Sequence, residues 1–411
     1  MNRVVITGMG LISPLGNDVH TFWDSLLKGK SGISTIDTLD VSNSKTKIGG
    51  IVRNFNPEER WGTKEARGLD RFTQFALAAA EEALENSQLQ LEKLEQDRFG
   101  VYVGSGIGGI NTFIDNVNLL NERGPRRVSP NLVPMMISNA AAAQISIKFG
   151  AHGPSLSPVT ACSIGNTAIG EAFNTIRYGD ADVIFAGGTE AAITTLSLAS
   201  FGNAKALSTR NEEPTLASRP FDSERDGFVM SEGAGILVLE SLEHAVKRNA
   251  PILCEVIGYG ASSDAHHMVA SHPEGKGAYL AMRNALRKAN ISTDDVDVIS
   301  AHATSTPVGD RSETMAIKSL FGERAYQIPV TANKSMTGHM LGAAGGVEAI
   351  ALVKTLQQGI VPPTINLVTA DPECDLDYVA EGARKLPLSI GLSNSFGFGG
   401  HNSAIVLKRY E

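Results

Sequence analysis

The chain is poor in cysteine and in long apolar runs, and each shortage excludes a class of protein. It contains three cysteines in 411 residues, Cys162, Cys254 and Cys374, too few for the disulfide framework of a small secreted domain. No uncharged apolar stretch reaches the roughly 20 residues that a membrane span needs. The N-terminus leads directly into a predicted strand rather than into a signal sequence. We therefore expect a protein of the reducing cytoplasm that has no membrane partner.

An excess of positive charge is also missing. The chain has 36 Lys and Arg residues against 44 Asp and Glu residues, a net charge of -8, which argues against nucleic acid as the main partner. A hydrophobic content of 42% with 19% charged residues is typical of globular proteins. Because 411 residues exceed the usual size of one core, we expect two domains or one duplicated domain.

Apolar strand-like runs alternate with amphipathic or alanine-rich segments, which predicts an α/β fold. The predicted strands are residues 3–8, 101–104, 182–188, 252–258, 297–301, 388–393 and 404–408. The predicted helices are residues 72–86, 140–149, 163–178, 277–289 and 346–358. Residues 110–134 are predicted to form a helix-rich insertion above the site.

Two pairs of segments indicate an internal duplication. Residues 4–8 resemble residues 255–260, and residues 99–104 resemble residues 296–303. We therefore predict two similar α/β halves, residues 1–250 and 251–411, which share one site. The first half would carry a nucleophile, and the second would carry the histidines and the lysine described below.

Cys162 lies in the sequence Thr-Ala-Cys-Ser-Ile-Gly, where a strand and turn are predicted to lead into a helix. Apolar residues recur after it at helical spacing: Ile164, Ala168, Ala172 and Ile176. A helix N-terminus offers free N–H groups and the positive end of the dipole, which lower the pKa of a thiol. A lone cysteine is usually a small buried hydrophobe, but this position favours a nucleophile.

Two histidines and a lysine lie in turns rich in Gly, Ser and Thr. His302 follows an apolar run and opens a Thr/Ser turn. His339 lies five residues after Lys334 with Gly338 between them, so a loop rather than one helix face must bring them together. Each histidine alone is as readily a structural residue. Together, a thiol, two imidazoles and an amine are the groups needed to make and use a thioester.

Two further motifs could indicate a cofactor or a metal. The sequence G-S-G-I-G-G at residues 104–109 matches the dinucleotide fingerprint, but no second strand with an acidic end follows it. It is the only support for a nucleotide-dependent oxidoreductase, and we predict a tight turn beside a pocket instead. Asp264, His266, His267 and His272 look superficially like metal ligands. Adjacent histidines suit a surface or a pocket lining better, so no metal is predicted.

Four motifs occur in the order and spacing of one family. They are Thr-Ala-Cys-Ser-Ile-Gly, His-Ala-Thr-Ser-Thr-Pro, Asn-Lys-Ser-Met-Thr-Gly-His and Asn-Ser-Phe-Gly-Phe-Gly-Gly-His-Asn. Over its whole length the chain resembles the 3-oxoacyl-[acyl-carrier-protein] synthases, the elongating condensing enzymes of fatty acid synthesis. Residues 362–367 and 374–377 are similar to the synthase II subgroup. The resemblance implies a thiolase-like fold, two similar α/β halves in a five-layer α-β-α-β-α sandwich, and a homodimer.

The resemblance also implies a role for each central residue. Cys162 would take an acyl chain from acyl carrier protein. Malonyl carrier protein would then lose CO2, and its carbanion would attack the thioester to give a 3-oxoacyl chain two carbons longer. His302 and His339 would stabilise the enolate as neutral N–H donors, oriented by Lys334. The backbone N–H groups of Cys162 and Phe398 would form an oxyanion hole, and Phe398 would act as a mobile gate.

Further roles also come from the resemblance. Thr304 and Thr306 would bind the phosphopantetheine arm that the substrates carry, so no separate cofactor is expected. Ile107 and Phe201 would line the acyl pocket. The carboxylates expected to hold Lys334 are Asp310, Glu313 or Glu348. Docking of the acidic carrier would need a basic patch within a screening length of about 8–10 Å, and the candidates are Lys64, Arg67, Arg126, Arg127 and Lys205.

The chain departs from the family at two positions. Ala303 stands where glycine is usual, in a turn that could need an unusual backbone conformation, and Asn333 stands where threonine is usual. Synthase I shares the Cys-His-His set, so the motifs leave open whether unsaturated chains are elongated. Three related classes fit less well. A thiolase needs a second catalytic cysteine, a chain-initiating synthase has asparagine in place of His339, and a chain-length factor lacks Cys162.

Overall fold

The computed structural model describes all of residues 1–411, which form fourteen strands and fourteen α-helices. The strands are β1 (Val4–Ile12), β2 (Ser34–Thr35), β3 (Ile48–Gly49), β4 (Phe99–Gly104), β5 (Ser155–Leu156), β6 (Val183–Glu190), β7 (Gly233–Ser241), β8 (Cys254–Ser263), β9 (Val298–Ser300), β10 (Val330–Thr331), β11 (Ile360–Val361), β12 (Arg384–Lys385), β13 (Ile390–Gly397) and β14 (His401–Arg409). The α-helices are α1 (Val19–Leu27), α2 (Pro57–Trp61), α3 (Thr63–Ala66), α4 (Arg71–Ser87), α5 (Ile110–Arg123), α6 (Leu132–Met136), α7 (Ala140–Phe149), α8 (Ile164–Tyr178), α9 (Thr195–Asn203), α10 (Leu242–Lys247), α11 (Lys276–Ala289), α12 (Pro307–Phe321), α13 (Lys334–Thr337) and α14 (Ala344–Gln358). None of the helices combines the length and the apolar character that crossing a bilayer requires.

Ten strands form two halves with the same strand order, β1-β7-β6-β4-β5 and β8-β14-β13-β9-β10. In each half neighbouring strands among the first three are antiparallel, and the last two run parallel to the third. The halves join where β1 pairs with β8. The segments identified as duplicated, β1 with β8 and β4 with β9, occupy equivalent places. The division at residue 250 stays a prediction.

The helices form three layers around the two halves of the sheet. Helices α4 and α7 cover one outer face, α11 and α12 cover the other, and α8 and α14 pack between the halves. The largest core surrounds α8 and α14, with Phe173 and Ile350 among its buried residues. Phe75 of α4 and Met282 of α11 lie in the two outer cores. The five-layer α/β arrangement is therefore confirmed.

Small residues let the outer helices approach the strands closely. In β1, a Cβ atom added at Gly10 would lie 2.0 Å from the carbonyl oxygen of Ala79 in α4. In β8, a Cβ atom added at Gly260 would lie 2.2 Å from the carbonyl oxygen of Ala281 in α11. Contacts this short require glycine. The duplication therefore extends to the glycine–alanine contacts of each half.

Each predicted strand and helix corresponds to an observed one, and the stretch 110–134 contains α5 and the first residues of α6. Two large elements were missed. Strand β7 is buried along its whole length, but its two glycines near the start obscured the apolar run. Helix α12 begins at Pro307 after an N-cap, Thr306, whose side chain accepts a hydrogen bond from Gly309 N–H. That Thr-Pro pair is a recognisable helix start.

Candidate active site

Loops from both halves of the fold line one cavity of about 580 Å³. Cys162 and Ile107 come from the first half, and His302, His339 and Phe398 come from the second. Residues that are far apart in sequence thus share one apolar-walled space. The predicted sharing of the site between the halves matches this arrangement.

Cys162 is the middle residue of a 3₁₀ turn, Ala161–Ser163, that leads directly into α8. Burial raises the pKa of its thiol to about 12, and the negative charge of Glu190 adds to this effect. The positive charge of Lys334 and the backbone N–H groups of Phe398 and Cys162 act in the opposite direction. The helix start is as predicted. A lowered thiol pKa is not observed, because loss of solvation outweighs the nearby positive groups.

The turn between β13 and β14 brings Phe398 close to Cys162. A Cβ atom added at Gly397 would lie 2.6 Å from the Thr160 carbonyl oxygen and 3.0 Å from Cys162 N, so glycine permits this approach. Gly399 has a φ of +83°. The Phe398 ring is exposed at the cavity, and its centroid lies 6.3 Å from that of Phe201.

The two histidines face each other at the cavity wall. Their ring centroids are 5.4 Å apart with the planes at 87°, and Lys334 Nζ lies 3.5 Å from His302 Nδ1. Burial and the positive charge of Lys334 hold the pKa of both His302 and His339 well below the ordinary value of 6.5. Both imidazoles are therefore neutral at physiological pH, and each can donate one N–H.

Of the three carboxylates expected to hold Lys334, the one that contacts it is Glu348. Burial raises the pKa of Glu348 to about 7, against the opposing charge of Lys334. Glu313 instead accepts hydrogen bonds from the backbone N–H groups of His302 at 2.9 Å and Ala303 at 2.8 Å. Of the alternatives for holding Lys334, Glu348 is thus the one realised, and Glu313 holds the histidine through the backbone.

Asp310 was also expected beside Lys334, and this expectation was wrong. Its carboxylate lies 3.5 Å from the guanidinium of Arg225 and accepts a hydrogen bond from Ser305 N–H at 3.1 Å. Arg225 in turn donates to the carbonyl oxygens of Thr306 at 3.1 Å and Pro307 at 2.9 Å. Asp310 thus supports the turn after His302 rather than the lysine. The sequence alone gave no indication of Arg225.

The turn after His302 has an unusual backbone. Ala303 has a φ of +33° and Ser305 a φ of +70°, a region that favours glycine. The expectation that Ala303 occupies a strained position is therefore confirmed. Thr304 and Thr306 line the cavity, with their Oγ1 atoms 3.1 Å apart. Asn333 is buried before α13, where its carbonyl oxygen accepts from Met336 N–H.

The apolar end of the cavity contains both residues predicted to line it, Ile107 and Phe201. Sequence reasoning missed Phe228, Leu341 and Phe396, which also line it. Phe396 lies beside His302, with centroids 5.6 Å apart. Sequence reasoning also missed Glu190, which is described below. An acidic residue at the end of an apolar strand was a usable signal for it.

The basic residues proposed for docking are all exposed. Lys205 lines the cavity, whereas Lys64 and Arg67 belong to α3 and its C-terminal end, and Arg67 lies 3.5 Å from Glu58. Arg126 and Arg127 form part of a separate 3₁₀ turn.

Among the residues that look like metal ligands, Asp264 lies at the cavity. It accepts hydrogen bonds from the Asn402 side chain at 2.8 Å and from His272 N–H at 3.1 Å. The rings of His266 and His272 lie 5.2 Å apart. Asp264 therefore ties its own loop to β14.

Comparison with known proteins assigns the chain to a family. Family models match residues 1–245 (Beta-ketoacyl synthase, N-terminal domain) and residues 253–368 (Beta-ketoacyl synthase, C-terminal domain). A 3-oxoacyl-[acyl-carrier-protein] synthase 2 of Staphylococcus aureus (strain COL) is 51% identical, covering 100% of this chain and 99% of the relative. A synthase of the same name from Synechocystis sp. is 47% identical, covering 100% of this chain and 98% of the relative.

Solved structures agree with this assignment. A type II PKS acyl-carrier protein in complex with its ketosynthase, bound to the hexaketide, gives a TM-score of 0.93 at 36% identity, with both chains covered over 100%. A Beta-ketoacyl synthase from Burkholderia phymatum gives a TM-score of 0.93 at 33% identity, again with both chains covered over 100%. This chain is an enzyme of the beta-ketoacyl synthase family.

Proposed function

We propose that the enzyme condenses an acyl group held on Cys162 with malonyl carrier protein in the elongation cycle of fatty acid synthesis. The observation that carries this proposal is the meeting of a thiol and two neutral imidazoles, Cys162, His302 and His339, in one cavity. The relatives named 3-oxoacyl-[acyl-carrier-protein] synthase 2 are 47–51% identical. The type II PKS ketosynthase is 36% identical, which favours fatty acid over polyketide elongation.

In the first step the sulfur of Cys162 attacks the thioester carbonyl of an acyl carrier protein. The thiol proton leaves as the C–S bond forms, and the carrier thiol departs with a proton. The N–H groups of Cys162 and Phe398 approach the sulfur closely enough to affect its pKa. They would therefore hold the oxyanion of the tetrahedral intermediate.

In the second step the malonyl carboxylate leaves as CO2, and its electron pair passes to the thioester enolate. Neutral His302 and His339 would donate N–H groups to the enolate oxygen. The carbanion then attacks the Cys162 thioester, the C–S bond breaks, and the sulfur takes up a proton. The products are a 3-oxoacyl carrier protein, CO2 and free Cys162. Lys334, held by Glu348, keeps both histidines neutral through its charge.

The cavity offers separate surfaces to the two parts of the substrate. Thr304 and Thr306 provide hydroxyl groups to the polar pantetheine arm, and Ile107 and Phe201 provide apolar wall to the acyl chain. The basic side chain of Lys205 at the cavity suits an acidic carrier. No further cofactor enters this scheme. A ketosynthase of the same fold is known in complex with its acyl-carrier protein.

A homodimer is supported by an exposed sheet edge. β5 ends the strand order, and both of its residues are exposed. Leu156 and Val159 beside it are 43% and 55% exposed. An uncovered apolar edge strand is a template for pairing with a second chain. We place the enzyme in the cytoplasm, because its chemistry needs a reduced thiol and its three cysteines are unpaired.

Intact-protein mass spectrometry tests the proposed function. Purified enzyme is mixed with acyl carrier proteins that bear medium to long chains, saturated and unsaturated, and malonyl carrier protein is then added. The enzyme should gain one acyl mass and lose it again as a 3-oxoacyl product. No mass gain with any chain would contradict the proposal. The chains that react fastest would distinguish a synthase I-like from a synthase II-like substrate range.

A further inference from the structure

The G-S-G-I-G-G turn after β4 closes around a carboxylate that belongs to the protein itself. Glu190, the last residue of β6, is completely buried. Its Oε1 accepts hydrogen bonds from Ser105 Oγ at 2.7 Å and Ile107 N–H at 3.2 Å, and its Oε2 accepts one from Gly106 N–H at 2.9 Å. Glycine-rich turns of this kind bind anions through successive N–H groups. Here the anion is an internal side chain.

The same carboxylate holds a second segment, from the other half of the fold. Gly342 N–H donates to Glu190 Oε2 at 3.1 Å. The same oxygen atom accepts the hydrogen bond from Gly106 N–H. The residue before it, Leu341, lines the cavity and has a φ of +47°. Ile107 lines the same cavity from the first half. One carboxylate therefore fixes the backbone behind two apolar wall residues that are far apart in sequence.

Two glycines provide the space for this carboxylate. A Cβ atom added at Gly106 would lie 2.9 Å from Glu190 Oε2, and one added at Gly342 would lie at the same distance from it. No cation lies within ion-pair distance of Glu190, so its charge is met entirely by N–H and O–H donors. Burial raises its pKa and the donors lower it. Gly106 of the turn and Gly342 thus serve contact with Glu190.

We propose that Glu190 is a positioning residue that determines specificity, because it sets the spacing of Ile107 and Leu341 and thereby the acyl chains that fit beside Cys162. The inference rests on the proposed acyl transfer to Cys162. Each further methylene that the walls bury favours binding by roughly fourfold, so a small change in the wall spacing acts most strongly on long chains. Glu190 makes no hydrogen bond to Cys162 or to its 3₁₀ turn.

The variant Glu190→Gln tests this proposal. The glutamine amide has the shape of the carboxylate. Its NH2 group replaces one of the two oxygen atoms and cannot accept the hydrogen bonds that this oxygen accepts in the wild type. We expect the ratio of Cys162 acylation rates for long and short acyl carrier proteins to change by about tenfold or more, since misplacements near 1 Å have effects of that size. Alkylation of Cys162 by iodoacetamide should not become slower, because this small reagent needs no acyl pocket. Removing the negative charge lowers the thiol pKa.

The matched control is Glu82→Gln. Glu82 of α4 is also a carboxylate without an ion-pair partner, and it accepts backbone N–H bonds from Leu11 at 2.9 Å and Val19 at 2.8 Å, away from the cavity. It should leave the chain-length ratio unchanged, whatever its effect on stability. The second test variant is Gly106→Ala, whose methyl group would push on Glu190. It should change the ratio as Glu190→Gln does, which keeps the test valid if one variant fails to fold.

An equal fall for all chain lengths in both test variants would overturn the proposal, and so would a ratio unchanged from wild type. A wild-type enzyme that takes no acyl group from any carrier would instead overturn the proposed function. The two failures are thus distinguished by the wild-type measurement alone.

Discussion

The two halves of the molecule place the same local structure before their central helices but give it different chemistry. Helices α8 and α14 each follow a 3₁₀ turn, Ala161–Ser163 in the first half and Leu341–Ala343 in the second. The first residue of each turn has a positive φ, +51° and +47° respectively. The middle residue is Cys162 in one turn and Gly342 in the other. The two halves share this backbone, and only one copy carries a thiol.

The turns after the equivalent strands β4 and β9 show the same division. Each is held by a buried carboxylate that accepts two consecutive backbone N–H bonds: Glu190 in the first half and Glu313 in the second. The first turn carries an apolar wall residue, Ile107, and the second carries His302. In the proposed mechanism the first half supplies Cys162 and the second half supplies the two histidines, while the acyl wall takes Ile107 from the first half and Leu341 from the second.

The largest expected effect comes from removing the thiol of the first half. Cys162→Ala should abolish acyl-enzyme formation and lower condensation by at least about 10³-fold, because no other group in the cavity can form the thioester. Cys254→Ala is the control, since Cys254 is buried in β8 outside the cavity. Intact mass and turnover measure both variants. Residual acylation of Cys162→Ala would place the nucleophile elsewhere, and the turn that carries Cys162 would then not differ in function from the turn that carries Gly342.

Removing a histidine of the second half should separate the two steps. We expect His302→Ala and His339→Ala each to lower CO2 release from malonyl carrier protein by about 10²–10³-fold, the usual effect of losing one oxyanion donor. Acylation of Cys162 should be affected much less. Release of CO2 and gain of acyl mass are measured on the same preparations. Equal losses in both steps would contradict the division of labour.

The pH dependence follows from the lowered histidine pKa values. Because the pKa of His302 lies well below 6.5, its imidazole stays neutral as the pH falls through 6.5, and CO2 release should not decline there. In Lys334→Met/Glu348→Gln, which removes both members of the buried pair, the histidine pKa rises because a positive charge is lost. The decline on acidification should then begin at higher pH. An unshifted profile would show that Lys334 does not tune the histidine.

Glu313→Gln sharpens the comparison of the two carboxylates. Loss of an acceptor for the N–H groups of His302 and Ala303 should displace the imidazole and lower CO2 release by about 10–100-fold. Unlike Glu190→Gln, it should do so equally for acceptors of every chain length. The check is a chain-length series of condensation rates for both variants. A change in chain-length preference with Glu313→Gln would show that the two carboxylates do not have separate roles.

The smallest effect concerns the strained turn of the second half. Ala303→Gly removes the Cβ atom from a residue with a φ of +33°, which relieves strain but adds flexibility to the unfolded chain. We expect the free energy of unfolding to rise by about 0.5–1 kcal/mol, measured by urea denaturation. Ala79→Gly in the middle of α4 is the opposite control and should lower it. A decrease with Ala303→Gly would mean that the methyl group contributes packing.

Much of the fold could be predicted because its main signals are local. The alanine-rich runs of α4 and α7 and the apolar runs of β4, β6 and β14 each indicate one structure by periodicity. Strand β7 was missed because two glycines interrupt its apolar pattern, and they are needed for contacts with other elements. At Gly235, for example, an added Cβ would lie 2.4 Å from Val347 N. Such a requirement is tertiary and leaves no local pattern.

The candidate site was predictable where a motif names the residue and not where a contact decides its role. Cys162, His302, Lys334 and His339 stand in recognisable motifs, and the structure brings all four together. The partner of Asp310 could not be predicted, because Arg225 lies far away in sequence. The raised pKa of Cys162 was also missed. It depends on how completely the fold removes water, which no spacing of residues reveals.

The position of α8 and α14 between the two halves has a consequence during synthesis. The inner face of α8 is complete once Tyr178 has been added, but its cover, α14, begins only at Ala344. At about 5–20 residues per second, the ribosome needs roughly 10–30 s to make the intervening chain. For that time the nascent polypeptide exposes an apolar helix surface, which makes it a substrate for chaperones and vulnerable to aggregation. Synonymous codons between these two helices would therefore influence the yield of active enzyme without changing a single side chain.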